Sequence, residues 1–242
     1  MIKLVLALSC ATALSLDAQT GTPSLPMPDG KLLRAGIDSL AIYLVRGTDT
    51  TRTGSAVDEL RAIDQARGVV WQRVYRSTDR LLGTRVDTLV DVQSTLMPVR
   101  QRGQSTNGRE FLDFGADSVK GWVTRMSQHD SLAVAAPLPA TVYNGSSFDL
   151  VLRASPLSET WQATVPAFLS NTRSVVPLQA RVDGSEIVGG EPTWRVKADF
   201  AGLPVTFWIS KSSRALRRQA MQIRPDVQIL FAAPSPPPRT SS

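Results

Sequence analysis

Residues 194–200 read Trp194, Arg195, Val196, Lys197, Ala198, Asp199 and Phe200, apolar and charged side chains in strict alternation. Successive side chains of an extended chain point to opposite faces, so this pattern predicts a strand with one packed face and one wet face. Gly202 and Pro204 then break the strand, and Val205, Phe207 and Ile209 restart the alternation. Residues 211–214 have turn composition, 215–223 read as a further strand, Arg224, Pro225 and Asp226 make the next turn, and Val227, Ile229 and Phe231 close the series. The expectation is an antiparallel meander of four strands with short connections.

Earlier segments carry the same signal. Residues 39–46 are apolar and β-branched, 69–76 place Trp71 and Tyr75 on one face, and 85–92 alternate Val86, Thr88, Val90 and Val92 with Arg85, Asp87, Leu89 and Asp91. Strands are expected at 97–102, 110–114, 118–126 and 131–135, with Trp122, Thr124 and Met126 sharing a face. Residues 56–66 show helical spacing in Val57, Leu60 and Ile63, but a strand follows at once, which favours the first arm of a hairpin. A short helix is predicted where Ser146 or Ser147 can cap, Asp149 sits in the first turn, Phe148, Val151 and Leu152 share one side, and Pro156 stops the run. A second minor helix is expected near 165–170, with Pro166 in its first turn. Gly189 and Gly190 read as a turn that requires positive φ.

The first eighteen residues read as an export signal. Lys3 gives the positive start, residues 4–16 form an apolar run too short for a permanent bilayer span, and the chain is expected to be cut after Ala18. Residues 19–30 read as a flexible linker, 31–232 as a single β domain and 233–242 as a Pro-rich disordered tail. The expected location is periplasmic or secreted, with no transmembrane segment in the mature chain. The only cysteine, Cys10, lies inside the signal, and the apolar run continuing past it argues against lipid anchoring there. The mature chain therefore has no thiol for a disulfide or a metal.

A formal charge of +6 is a moderate excess. Arginine is scattered and commonly sits beside aspartate, as at Arg85 and Asp87 or Arg181 and Asp183, which is not the concentrated basic element of a nucleic-acid binder. The tightest cluster, Arg214, Arg217, Arg218 and Arg224, reads as a solvated face, with contact to anionic headgroups as the sharper alternative.

No catalytic constellation emerges. His129, Asp130 and Ser131 are the residue types of a hydrolytic triad, but three consecutive side chains point in different directions, whereas triad members converge from separate elements. One imidazole and no mature thiol leave only oxygen sites for a metal, and no calcium-loop pattern occurs. Paired carboxylates for glycoside chemistry and Gly-rich phosphate loops are not identifiable either. Asn144, Gly145 and Ser146 match a glycosylation sequon, a permissive pattern. The protein is expected to be neither an enzyme nor a cofactor carrier. Trp71, Tyr75, Trp122, Phe148, Leu152, Trp194 and Phe207 are the large residues expected toward the concave face of the sheet or under the helix. Two readings of them stand: an ordinary packed core, or the lining of a cavity for an apolar ligand.

The helix with its lead-in from Tyr143 to Pro156, and the ending Trp194 to Lys197, Pro204 to Ile209 and Leu216 to Gln219, resemble a bacterial envelope family of unknown function. Its members look like half-open β-barrels similar to periplasmic lipoprotein carriers. The resemblance implies a mainly β fold, a strongly curved antiparallel sheet with one or two short helices against its concave face. It supplies no catalytic signature. The function it favours is an exported, non-catalytic module binding a lipid or other apolar ligand in the cell envelope. The alternative is an envelope assembly or scaffold protein with a filled core, acting through an envelope partner.

Overall fold

The computed structural model describes residues 27–125 and 130–233. The segment read as an export signal, most of the residues read as a linker, His129 and all but the first residue of the expected tail lie outside the described residues.

The described chain is mainly β. Its strands are β1 (Gly36–Arg46), β2 (Asp49–Gln65), β3 (Gly68–Asp79), β4 (Gly83–Val92), β5 (Pro98–Ser105), β6 (Gly108–Phe114), β7 (Ser118–Arg125) and β8 (Asp130–Pro137). After them come β9 (Tyr143–Asn144), helix α1 (Phe148–Ala154), β10 (Gln162–Leu169), β11 (Ser174–Val188), β12 (Glu191–Phe200), β13 (Leu203–Ser210), β14 (Leu216–Arg224) and β15 (Val227–Ala232). All belong to one sheet, built from two meanders that run outward from a shared centre. At that centre β1 pairs antiparallel with β15, Ile42 opposite Phe231, and only the β9/β10 contact is parallel. Short hairpins connect most neighbours, and the Gly189–Gly190 turn has φ of 59° and 82°, the left-handed values that its two glycines supply without steric cost.

The predicted alternation holds in β12, where Val196 and Ala198 are buried while Lys197 and Asp199 are exposed. The 56–66 segment lies in β2, in the hairpin arm. The helix expected near 165–170 is instead β10. Val165, Ala167 and Phe168 are buried there, and Pro166 stands opposite Pro177, so the missing amide hydrogens fall at one ladder position.

Register shifts at Ile42/Tyr43, Val90/Asp91, Val182/Ser185, Trp208/Ile209 and Gln222/Arg224 mark the irregularities that bend and twist the sheet. The bend brings the two ends of the sheet together through side chains. Leu112, Val119 and Val134 from β6, β7 and β8 pack with Val142 and with Phe168 of β10, and Phe114 meets Phe168 edge-on at 5.7 Å. No ladder joins β8 to β9, so the barrel is half-open.

Helix α1 plugs the interior, with all seven of its residues buried. Its lead-in differs from the expected serine cap. The Asn144 side chain accepts from the Ser146 amide at 2.9 Å and opens a 3-10 turn (Gly145–Ser147), while Ser147 makes no side-chain cap bond. Asn144 is 1% exposed and also donates to Gln101, so the sequon around it is closed to a glycan in this fold. Beyond the helix Ser155 turns extended, as a residue before proline prefers.

One end of the half-barrel is closed. A second 3-10 turn (Gly30–Leu32) is held by the Asp29 amide on the Ala154 carbonyl at 3.1 Å, the Gly30 amide on the Ser94 carbonyl at 3.2 Å and the Trp71 indole on the Gly30 carbonyl at 2.9 Å. The last residues of the segment read as a linker are therefore fixed to the fold, with Pro28 and Gly30 buried. The supposed arginine cluster is dispersed. Arg214 holds the helix end, Arg217 pairs with Glu191, and Arg218 lies near Glu186 and over Trp208, leaving Arg224 exposed.

Candidate functional site

Between α1 and the sheet lies a cavity of ≈ 540 Å³. One wall comes from the C-terminal meander, where Phe200, Val205, Phe207, Leu216, Met221 and Phe231 point inward, continued by Leu40 of β1. These are the inward alternates of β12 to β15, apolar because that face is kept from water. Phe148 at the start of α1 roofs this wall, edge-on to Phe200 at 5.2 Å and tilted against Phe207 at 6.3 Å.

The opposite wall is polar. Arg73, Tyr75 and Ser77 of β3, Arg85 and Asp87 of β4, Ser105 of β5 and Asn107 beside it face the same space. Here β4 reverses the usual rule. Asp87 is buried while Val86 on the other face is 43% exposed, and further along Leu89, Val90 and Asp91 are all buried.

Arg73 organises this wall. Its guanidinium makes two bonds of 2.7 Å to Asp58 of β2 and one of 2.6 Å to Asp149 of α1. Burial opposes the charge on Arg73, but Asp149 and Asp58 outweigh it and hold its pKa well above the ordinary value. Removing the arginine would strand two buried carboxylates, a loss of about 3–5 kcal/mol for buried pairs. Burial lifts Asp87 above the usual carboxylate range against the pull of its Arg85 partner, and raises the Tyr75 phenol to about 12. Burial likewise lifts Asp91 to about 7, opposed by the Ser147 hydroxyl and by Arg73.

Of the residues singled out from the sequence, Tyr75, Phe148 and Phe207 line the cavity. Trp71 and Leu152 are buried in the main core, which also takes in Phe148 and Phe207, but they do not line the cavity, and half-buried Trp194 packs against that core beneath the Lys211 ammonium at 3.6 Å. Trp122 is 37% exposed and stacks on Phe111 at 5.9 Å. It occupies the outer face because its neighbours Val119 and Val123 take the inner one. The sequence reading missed Arg73, Arg85, Asp87, Phe200 and Met221. Arg73 was within reach, since it stands midway between Trp71 and Tyr75 on the face already assigned to them.

No described helix is long and apolar enough to cross a membrane, which leaves strand-based crossing untouched. Among the described residues no group of His, Cys, Asp and Glu is arranged to hold a metal ion.

A family model described as a protein of unknown function, DUF3108, matches residues 41–227. The chain belongs to the DUF3108 family. The matched span runs from β1 into β15, so it contains the polar wall, the helix and all of the apolar wall except Leu40 and Phe231. No curated protein matches this DUF3108 chain in sequence. Among solved structures it is similar to a β-barrel-like protein of the domain of unknown function DUF1849 from Brucella abortus, at 12% identity and a TM-score of 0.50, covering 84% of this chain and 97% of that one. At that identity the likeness establishes the barrel-like fold alone.

Proposed function

We propose that this protein is an exported, non-catalytic binding module of the cell envelope that holds an amphipathic molecule with an acyl or similar apolar chain. The two-sided lining of the cavity carries the reading. An apolar tail gains by lying along Phe200, Phe207, Met221 and Phe231, at about 25 cal/mol per Å² of apolar surface removed from water. A polar end can bond to Tyr75, Ser77, Ser105 and Asn107 and face Arg85. The volume is within the range of small-molecule sites, roughly 300–1,000 Å³. A scaffold acting through its surface has no use for a cavity lined apolar on one side and polar on the other, which favours the binding reading over the alternative. The export signal and the resemblance to envelope proteins support the location.

Native mass spectrometry of gently purified protein is expected to find a co-purifying lipid or related amphiphile. In free solution the protein should take up a fluorescent fatty acid, and Phe207→Arg, which sets a charge on the apolar wall, should lower that affinity at least tenfold. Absence of any bound molecule together with no uptake would remove the reading.

A further inference from the structure

The closed and open ends of the half-barrel differ in charge. The turns at the open end follow β1, β3, β5, β10, β12 and β14, and Leu82, Asn107, Phe200 and Leu203 carry the cavity lining to that end. Arg46, Arg52, Arg80 and Arg224 stand on the contiguous strand ends and turns of β1, β2, β3 and β14, with Arg109 and Arg173 across the mouth. All six are exposed, and none makes an ion pair among the described residues, unlike the arginines on the sheet's flanks. The described exposed acids at these turns are Asp49, Asp199 and Asp226. At the closed end exposed Asp29, Asp64, Asp117 and Glu159 offset Lys31, Arg34, Arg67 and Lys211.

Two leucines project within this basic rim. Leu81 is 57% and Leu82 41% exposed, on a turn that is rigidly held. The Asp79 carboxylate accepts from both leucine amides, at 2.7 and 2.8 Å, and from the Thr53 hydroxyl, while the Arg80 amide bonds to the Thr53 carbonyl at 3.1 Å. A turn tied down this firmly keeps the two leucines in water against the hydrophobic effect.

We propose that the open end docks on an anionic lipid bilayer, the arginines meeting the headgroups and Leu81 and Leu82 entering the interface beside the cavity mouth. This deepens the binding reading, because it places the entrance of the apolar wall against the phase from which an acyl chain would come. The charge selects this occupant. Arginines ringed around apolar side chains match negative headgroups over a hydrocarbon layer, whereas an acidic protein would offer the charge without the apolar depth.

The test is co-sedimentation of the full chain with vesicles of phosphatidylcholine alone and of phosphatidylcholine containing phosphatidylglycerol. Binding should require phosphatidylglycerol and weaken as salt shortens the Debye length from about 30 Å to about 8 Å. At about fivefold per arginine near the surface, Arg46→Gln, Arg52→Gln and Arg224→Gln together should lower the partition coefficient about a hundredfold. Leu81→Ser with Leu82→Ser should lower it severalfold at every salt concentration. These side chains are exposed, so unchanged circular dichroism is expected and separates docking from misfolding. Equal sedimentation with both vesicles, or no effect of the triple variant, overturns the proposal. So does salt-sensitive association with poly-glutamate and none with phosphatidylglycerol vesicles. Docking is scored without cargo and fatty-acid uptake without vesicles, so the two readings fail separately.

Discussion

Asp91 shows how much a single inward-facing side chain can set. It is 1% exposed, one carboxylate oxygen has no hydrogen-bond partner, and burial raises its pKa to about 7 against an unfolded value of about 3.9. The folded chain therefore keeps a proton that the unfolded chain releases between about pH 4 and pH 7. Stability contributed by that proton is fully present below pH 4 and is lost as pH rises toward 7, at up to about 1.4 kcal/mol per pH unit. Asp91→Asn should raise unfolding stability above pH 7 and flatten its pH dependence across that window, as read from urea titrations at stepped pH. An unchanged slope between pH 4 and 7 would reject the assignment. Asp79 has the opposite sign. Desolvation pushes it upward, but the Thr53 hydroxyl and the two leucine amides outweigh that and hold it below its ordinary value, so its contribution vanishes only in acid.

Among the elements, α1 depends most on what surrounds it. Seven residues are too few for a helix to persist alone, so its stability is tertiary. Arg214 supplies part of it. Its guanidinium donates to the Arg153 and Ser155 carbonyls, each at 2.9 Å, and the Arg153 side chain returns a bond to the Arg214 carbonyl at 2.9 Å. The helix end thus gains partners for carbonyls that have none within the helix. Arg214→Ala should cost about 1–3 kcal/mol by leaving them unpaired, and amide exchange should quicken in α1 before it does in β1 or β15. Uniform exchange across the molecule would show that the helix is held otherwise. Of the signals that marked this helix, the helical spacing of Phe148, Val151 and Leu152, Asp149 in the first turn and the Pro156 stop hold, whereas the serine cap does not form. The helix near 165–170 was misread because a short apolar run containing proline suits either state, and the decision lay with the partner strand β11.

For the molecule as a whole the decisive feature is the seam between β6–β8 and β9–β11, closed by packing and open to no ladder. Phe168 is its centre, touching Phe114 and the Leu112, Val119, Val134 and Val142 cluster. Phe168→Ala should destabilise the fold by about 3–5 kcal/mol, with exchange rising most in β7 and β8, and the central β1/β15 pairing should stay protected. Exchange that rises equally in β1 and β15 would show that the seam and centre unfold as one.

The sequence by itself determined that the chain is a meandering β-sheet with a short helix ahead of Pro156, because alternation, turn chemistry and a proline stop are local and survive without knowledge of neighbours; that 165–170 is strand and not a second helix was left to the tertiary structure. It also marked Tyr75, Phe148 and Phe207 as inward. Only the tertiary structure decided that Trp122 faces out, that Asp87 and Asp91 face in, and that Arg73 joins Asp58 to Asp149 across residues far apart in the chain. The physical reason is that alternation divides a strand into two faces without saying which one is covered. A charged face can be the inner one only if opposite charges from distant strands and a helix converge on it, and that convergence exists in the folded chain alone.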